Sequence, residues 1–386
     1  MPNEHTRVLQ LKETKKRSKR NKIMTGNAIR TIVFLCLIAC ISAICIKVYS
    51  FDDPEMSNKT FDQFYALEDN TVDCIMIGAS VTQRDYVVPI GYHDEGIAAY
   101  SLACGAQPFV MARYLMEESL KTQDPKLFVI ELKGSCRAPA GISEYGFRKM
   151  VDNMKPSITR YRMIRDIVEY SSGYENGVDE TGLSYYLPFF KYHSLWNPAK
   201  KPKHNGMDYY KGYAVAPNIS FGVRGIKQQP IPEEEQAIAP ETEEFLMDLL
   251  DYSDSIDAEV VFIISPYEAS YQALQKMNYT VPKIRARGYK VLDFRTKESR
   301  EAIGLNDNYC YYNREHLNFY GSEIFTDWFS KYMKSEYGLP DRRGDKKYVE
   351  WEEEYDRLMA NLETGIYAEK YDKMMNEIRE NEKEDK

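Results

Sequence analysis

Residues 72–83, VDCIMIGASVTQ, constrain this chain more than any other stretch. A short apolar run rich in branched side chains stops abruptly at Gly78-Ala79-Ser80, which reads as a buried strand delivering a serine onto a tight turn. Four further runs of the same kind follow at 98–102, 127–132, 259–265 and 289–294, with helical patterns near 109–122, 241–253, 267–276 and 281–288. Strands spaced by helices predict an α/β fold with a five-stranded parallel sheet covered on both faces, whose chemistry sits at the carboxyl ends of the strands.

The charge is unevenly placed. Residues 1–30 carry nine Lys/Arg against Glu4 and Glu13, a balance of +7 that leaves −15 for the rest of a chain whose net charge is −8. A basic head on an acidic body argues against nucleic acid as a partner, because a phosphate-binding surface would be confined to the head. Sixteen uncharged residues follow at 31–46, TIVFLCLIACISAICI, flanked by Arg30 and Lys47. With its flanks this run approaches the ~20 residues that cross a bilayer as a helix. Lys/Arg before it and Asp52, Asp53 and Glu55 after it predict a cytoplasmic N-terminus and an extracytoplasmic body. A cleaved signal peptide is the rival reading.

This gives a division into a basic head (1–30), a signal anchor (31–48), a juxtamembrane linker (49–70), a catalytic-type domain (71–338) and an amphipathic helical tail (339–386). The tail carries an apolar stripe at steps of three and four, interrupted near Gly365, suited to packing on the body. Within the domain, 141–235 breaks the strand–helix rhythm. It contains a helical pattern at 155–170 and then a stretch rich in Gly, Tyr, Pro and Asn. That composition fits either an irregular insertion near a binding surface, with His193 and Trp196 as substrate-binding candidates and Tyr186, Trp196 and Tyr209 available for sugar stacking, or a packed excursion whose aromatics are core. Cys74, Cys104, Cys136 and Cys310 would lie on the oxidising side, where a disulfide is permitted but none is implied. No Cys/His spacing suggests a metal site, and no cofactor motif is present.

A serine hydroxyl needs a neighbouring base before it can act as a nucleophile, and taken alone Ser80 would sooner cap the following helix. The base is offered by 312–321, YNREHLNFYG, a polar loop that leads into an amphipathic helix after the last strand. His316 sits there, where a loop can lean over the first strand and reach Ser80. His5, His93, His193 and His204 lie in the head, in loops or in the insertion, and are weaker bases for the role.

Four stretches together resemble the SGNH/GDSL hydrolase superfamily over about 70–335: Ile77-Gly78-Ala79-Ser80, Cys104-Gly105-Ala106-Gln107, 125–132 and His316-Leu317-Asn318. The resemblance is to its membrane-anchored extracytoplasmic members, the D-alanyl-lipoteichoic acid esterase-like and alginate acetylation proteins that accompany membrane-bound O-acyltransferases. It implies a flavodoxin-like three-layer α/β/α fold and an esterase or O-acyltransferase acting on acyl esters of a surface polysaccharide or teichoic-acid-like polymer. Ser80 would be the nucleophile and His316 the base, with Ser80 and Gly105 donating to the oxyanion. The family's Asp after Gly is Ala79 here, and the Asn that completes its oxyanion hole is missing from 132–136, so Gln107 becomes the substitute donor. The acid three residues before the histidine is Asn313, with Asp307 and Glu315 as nearby alternatives. A neutral amide can orient an imidazole but lends it no charge, and in a triad built on aspartate the loss costs about four decades of rate. That departure keeps a second reading open, a non-catalytic assembly or glycan-binding subunit of an O-acylation complex.

Overall fold

Ten apolar residues of the first three strands are almost fully enclosed, among them Ile75, Ile77, Tyr100, Leu102, Phe128 and Ile130. Continuous burial on both faces is the mark of a parallel sheet. The computed structural model describes residues 24–45, 53–197, 201–204, 206–215, 219–222 and 225–384. In chain order the strands are β1 (Cys74–Gly78), β2 (Ala99–Ala103), β3 (Leu127–Glu131), β4 (Tyr209–Tyr210), β5 (Tyr213–Ala214), β6 (Glu259–Ile264), β7 (Lys290–Asp293), β8 (Tyr311–Asn313) and β9 (His316–Leu317). Five of them form one sheet in the order β2-β1-β3-β6-β7, every pair parallel, and the remaining four make two small antiparallel hairpins. Each sheet strand lies within two residues of its expected bounds. From β1 the chain goes to one side for β2 and returns to the other for β3, so the order reverses at β1. In open α/β sheets such a reversal leaves a crevice at the carboxyl ends of the strands.

The N-terminal apolar run is helix α1 (Met24–Cys45), 22 residues whose most apolar 18 have a mean hydropathy of 2.4. It is long and apolar enough to span a membrane, and it begins seven residues before the expected anchor, taking in the last seven residues of the basic head; residues 1–23 and 46–52, with the rest of the head, His5 and the end of the expected span, lie outside the described residues. The described residues divide into two compact units, one of α1 with 187–197 and the other of 53–186 with 201–384.

Within the larger unit several sequence expectations change. Helix α2 (Asn58–Ala66) falls in the expected linker, yet Phe61 and Phe64 are buried and the Tyr100 hydroxyl donates to Thr60 O at 2.5 Å. The body therefore begins before residue 58. Helices α3 (Ser80–Asp85), α4 (Val88–Glu95) and α5 (Ala112–Ser119) follow, then α6 (Glu144–Val151), α7 (Ile158–Ser171), α8 (Leu183–Tyr186) and, in the smaller unit, α9 (Phe189–Tyr192). After α10 (Pro240–Ser253), the two helical patterns at 267–276 and 281–288 form one helix, α11 (Tyr271–Ala286), which runs through Pro282. Its face Leu274, Met277, Val281, Ile284 is buried without interruption. Four core side chains at steps of three and four outweigh the ~3 kcal/mol that an interior proline costs. Helices α12 (Lys297–Glu301) and α13 (Phe319–Tyr337) complete the domain.

The tail breaks where expected, into α14 (Val349–Glu363) and α15 (Ala368–Glu384), and packs on the body. Arg342 grips Asp73 beside β1 with two bonds, at 2.6 and 2.9 Å. Trp351 is buried between Tyr92 and Tyr348, and its Nε1 donates to Ala99 O at 3.0 Å. Trp351→Ala should therefore lower the unfolding free energy by about 3–5 kcal/mol, a cavity plus an orphaned carbonyl. A urea midpoint that does not move would show that the tail is not part of the core.

Candidate active site

The sheet's last paired row fixes where the site stands. Gly78, Ala103 and Glu131 sit side by side at the ends of β1, β2 and β3, as the pairings Gly78↔Ala103 and Ile77↔Ile130 require. Two residues beyond that row the three strands present Ser80, Gly105 and Lys133. Gly78 has no room for a side chain, since a Cβ there would lie 2.0 Å from Thr82 Oγ1 and 2.7 Å from Glu131 Cβ. The chain therefore passes through an extended Ala79 straight into α3, with Ala79 in the cap position and Ser80 as the first helical residue. Ser80 does not cap the helix; its Oγ lies 2.6 Å from His316 Nε2.

His316 is held by the β8–β9 hairpin, in which Asn313 and His316 are cross-strand partners. Asn313 Oδ1 accepts the Glu315 backbone N–H at 2.8 Å, a side-chain turn that sets the Arg314-Glu315 loop, and it lies 3.0 Å from His316 Nδ1. Because the Glu315 N–H identifies that amide atom as the oxygen, His316 Nδ1 must donate to it. The Nε2 lone pair is then left to accept the Ser80 hydroxyl proton. The hairpin is tied down on its far side. Asn318 Nδ2 donates to Tyr309 O at 2.7 Å, Asn318 Oδ1 caps α13 at Gly321 N, and Leu317 N donates to Asp85 Oδ1 at 3.4 Å.

The other acids proposed for the histidine are engaged elsewhere. Asp307 holds Arg300 through both oxygens, at 2.7 and 2.5 Å, and the exposed Glu315 lies 3.4 Å from Lys133 Nζ. Asn313 alone meets the far ring nitrogen among the described contacts. Two cations outside the expected site residues bear on the site. Arg84 donates to the Tyr312 hydroxyl at 2.7 Å, and the Tyr312 ring stacks on His316 with centroids 5.4 Å apart. Lys133 lies over the Tyr267 ring. Its equal offset past β3 was the signal in the sequence that could have found it. Burial, with the positive charges of Arg84 and Lys133, pushes the His316 imidazole down to about 2. Beneath, burial pushes the Asp85 carboxyl well above the carboxylate range and the Glu131 carboxyl up to about 7.

The turn after β2 is shaped by Ala106, whose φ of +62° is costly for a residue with a Cβ. Gly105 is enclosed, and a Cβ there would come 3.2 Å from Glu55 Oε2. Gln107 is buried, but its Oε1 accepts the Cys104 N–H at 3.2 Å, which leaves only Nε2 to serve the expected donor role. Tyr209 is 1% exposed and donates to Glu55 O, so it is core and not a stacking platform. His193 and Trp196 fall in a 3-10 turn of the smaller unit, whereas Ser80 belongs to the larger one. All four cysteines of the body are free thiols, three of them buried.

A histidine held neutral in this way should not titrate between about pH 5 and 8, unlike an ordinary imidazole near 6.5. The unfolded chain takes up that proton below about 6.5 while the folded chain does not, so His316 withdraws stability as the pH falls. Nitrogen NMR of histidine-labelled chain checks this, with Lys133→Met expected to move the His316 titration upward. A wild-type midpoint near 6.5 would refute it. No protein-family model and no curated protein matches the chain.

Proposed function

We propose that the chain is a membrane-anchored, extracytoplasmic serine esterase or O-acyltransferase of the SGNH hydrolase kind, acting on acyl esters, acetyl or D-alanyl, of a surface polysaccharide or teichoic-acid-like polymer, in company with a membrane-bound O-acyltransferase. The observation that carries the reading is the relay Ser80 Oγ, His316, Asn313 Oδ1, with its 2.6 and 3.0 Å links. The sheet order β2-β1-β3-β6-β7, with Ser80 next to the reversal, supports a flavodoxin-like arrangement.

Ser80 Oγ attacks the acyl carbonyl carbon as His316 Nε2 takes its proton, and the carbonyl π bond opens to an oxyanion. The backbone N–H groups of Ser80 and Gly105 and the Gln107 Nε2 donate to that oxygen. As the C–O bond to the leaving alcohol breaks, His316 returns the proton to the departing oxygen, and the acyl group stays on Ser80. Water or a sugar hydroxyl then repeats the sequence in reverse and releases it. Arg84 and Lys133 work on both halves of the charge separation. They disfavour the imidazolium and favour the oxyanion, which offsets part of what the missing family Asn would supply.

The test uses the full chain in detergent or vesicles with a chromogenic acetyl ester. Ser80→Ala and His316→Ala should each lose at least about a thousandfold in turnover, as removal of a triad member does. Asn313→Asp should raise it, because a carboxylate in the same place stabilises the imidazolium. The neutral Asn313 is also what favours the alternative, a non-catalytic assembly or glycan-binding subunit. Equal turnover by wild type and Ser80→Ala, with no covalent phosphonate adduct on Ser80, would establish that reading.

A further inference from the structure

Apart from α1, eleven large apolar side chains are exposed among the described residues, and eight of them fall between 145 and 190. Ile158 is 77% exposed and Tyr161 56%, both on α7, and the Tyr161 ring lies 5.2 Å from Tyr186 on α8, beside exposed Leu183. The chain passes directly from Tyr186 into Leu187-Pro188-Phe189-Phe190, where Phe190 is 54% exposed. Tyr185 and Tyr192 are buried, but Leu187, Phe189 and Phe190 are exposed, and Lys191 is the single charged residue of 185–197. An aqueous surface gives those exposed apolar side chains no stabilisation. A membrane interface does, because amphipathic rings and a lysine suit the headgroup level.

Two features identify the occupant. The compact unit that contains 187–197 is the unit of α1, whose 22 residues span ~33 Å as a helix, enough for the hydrocarbon core. Seven residues, 46–52, separate α1 from the body, and at full extension they reach at most ~25 Å.

We propose that 183–196, the α8–α9 stretch, lies in the headgroup and acyl boundary of the bilayer that α1 spans, on the leaflet that faces the body. The ligand of this surface is phospholipid. The inference rests on the membrane-anchored part of the reading above and is independent of the esterase chemistry. It gives the chain a second membrane attachment, in the segment between α7 and β4.

The full chain is placed in phosphatidylcholine–phosphatidylglycerol vesicles with photoreactive benzoylphenylalanine at one of three positions: 33 in α1, 190, or 366, an exposed apolar site in the tail. The expected result is a phospholipid adduct at 190 and at 33 and none above background at 366. An adduct at 33 without one at 190, or a protein–protein adduct at 190, overturns the interfacial assignment and leaves the anchor standing. Loss of the adduct at 33 overturns the anchor and this inference with it. Hydrolysis of a soluble acetyl ester by the same preparations reports on the esterase reading separately.

Discussion

Asn313 Oδ1 accepts two N–H groups at once, one from the Glu315 backbone and one from the His316 ring, and the arrangement around Ser80 depends on that shared oxygen. The first bond sets the two-residue loop of the β8–β9 hairpin; the second fixes the ring's orientation and tautomer. Together they explain a spacing of three between the amide and the histidine, since cross-strand partners across a two-residue loop stand that far apart in sequence. The same oxygen that shapes the loop thus leaves Nε2 as the acceptor for Ser80.

An amide in that place changes the electrostatics of the relay. An aspartate would stabilise the imidazolium; Asn313 does not, and Arg84 and Lys133 oppose it. Burial also raises the Asp85 and Glu131 carboxyls, which weakens the negative charge they place near the histidine. The result is an imidazole held in its neutral form.

The scaffold makes this geometry repeatable. Gly78 allows β1 to close against Thr82 and Glu131, α3 is pinned to α13 through Ser322 Oγ to Arg84 O, and the start of α4 is pinned to α13 through the Val87 N–H to Thr326 Oγ1. Residues before and after the expected domain contribute as well. Helix α2 and Trp351 of α14 both reach β2, whose end carries the Gly105 turn. A linker and a tail in sequence terms are, in packing terms, walls of the core.

How much was legible follows from the range of the interactions. The five sheet strands, α1, the break near Gly365 and the residues Ser80, Asn313 and His316 were readable because each is marked locally, by an uninterrupted apolar run, a small-residue turn or a loop before a helix. The sequence alone thus determined an α/β chain with a serine after its first strand and a histidine after its last. Only the tertiary structure decided that Ser80 and His316 meet at 2.6 Å, that Lys133 and Arg84 surround them, that Gln107 spends its carbonyl on Cys104 and that Tyr209 is core. Those outcomes depend on contacts between residues tens to hundreds of positions apart or on the aim of a single side chain, and composition and periodicity carry neither.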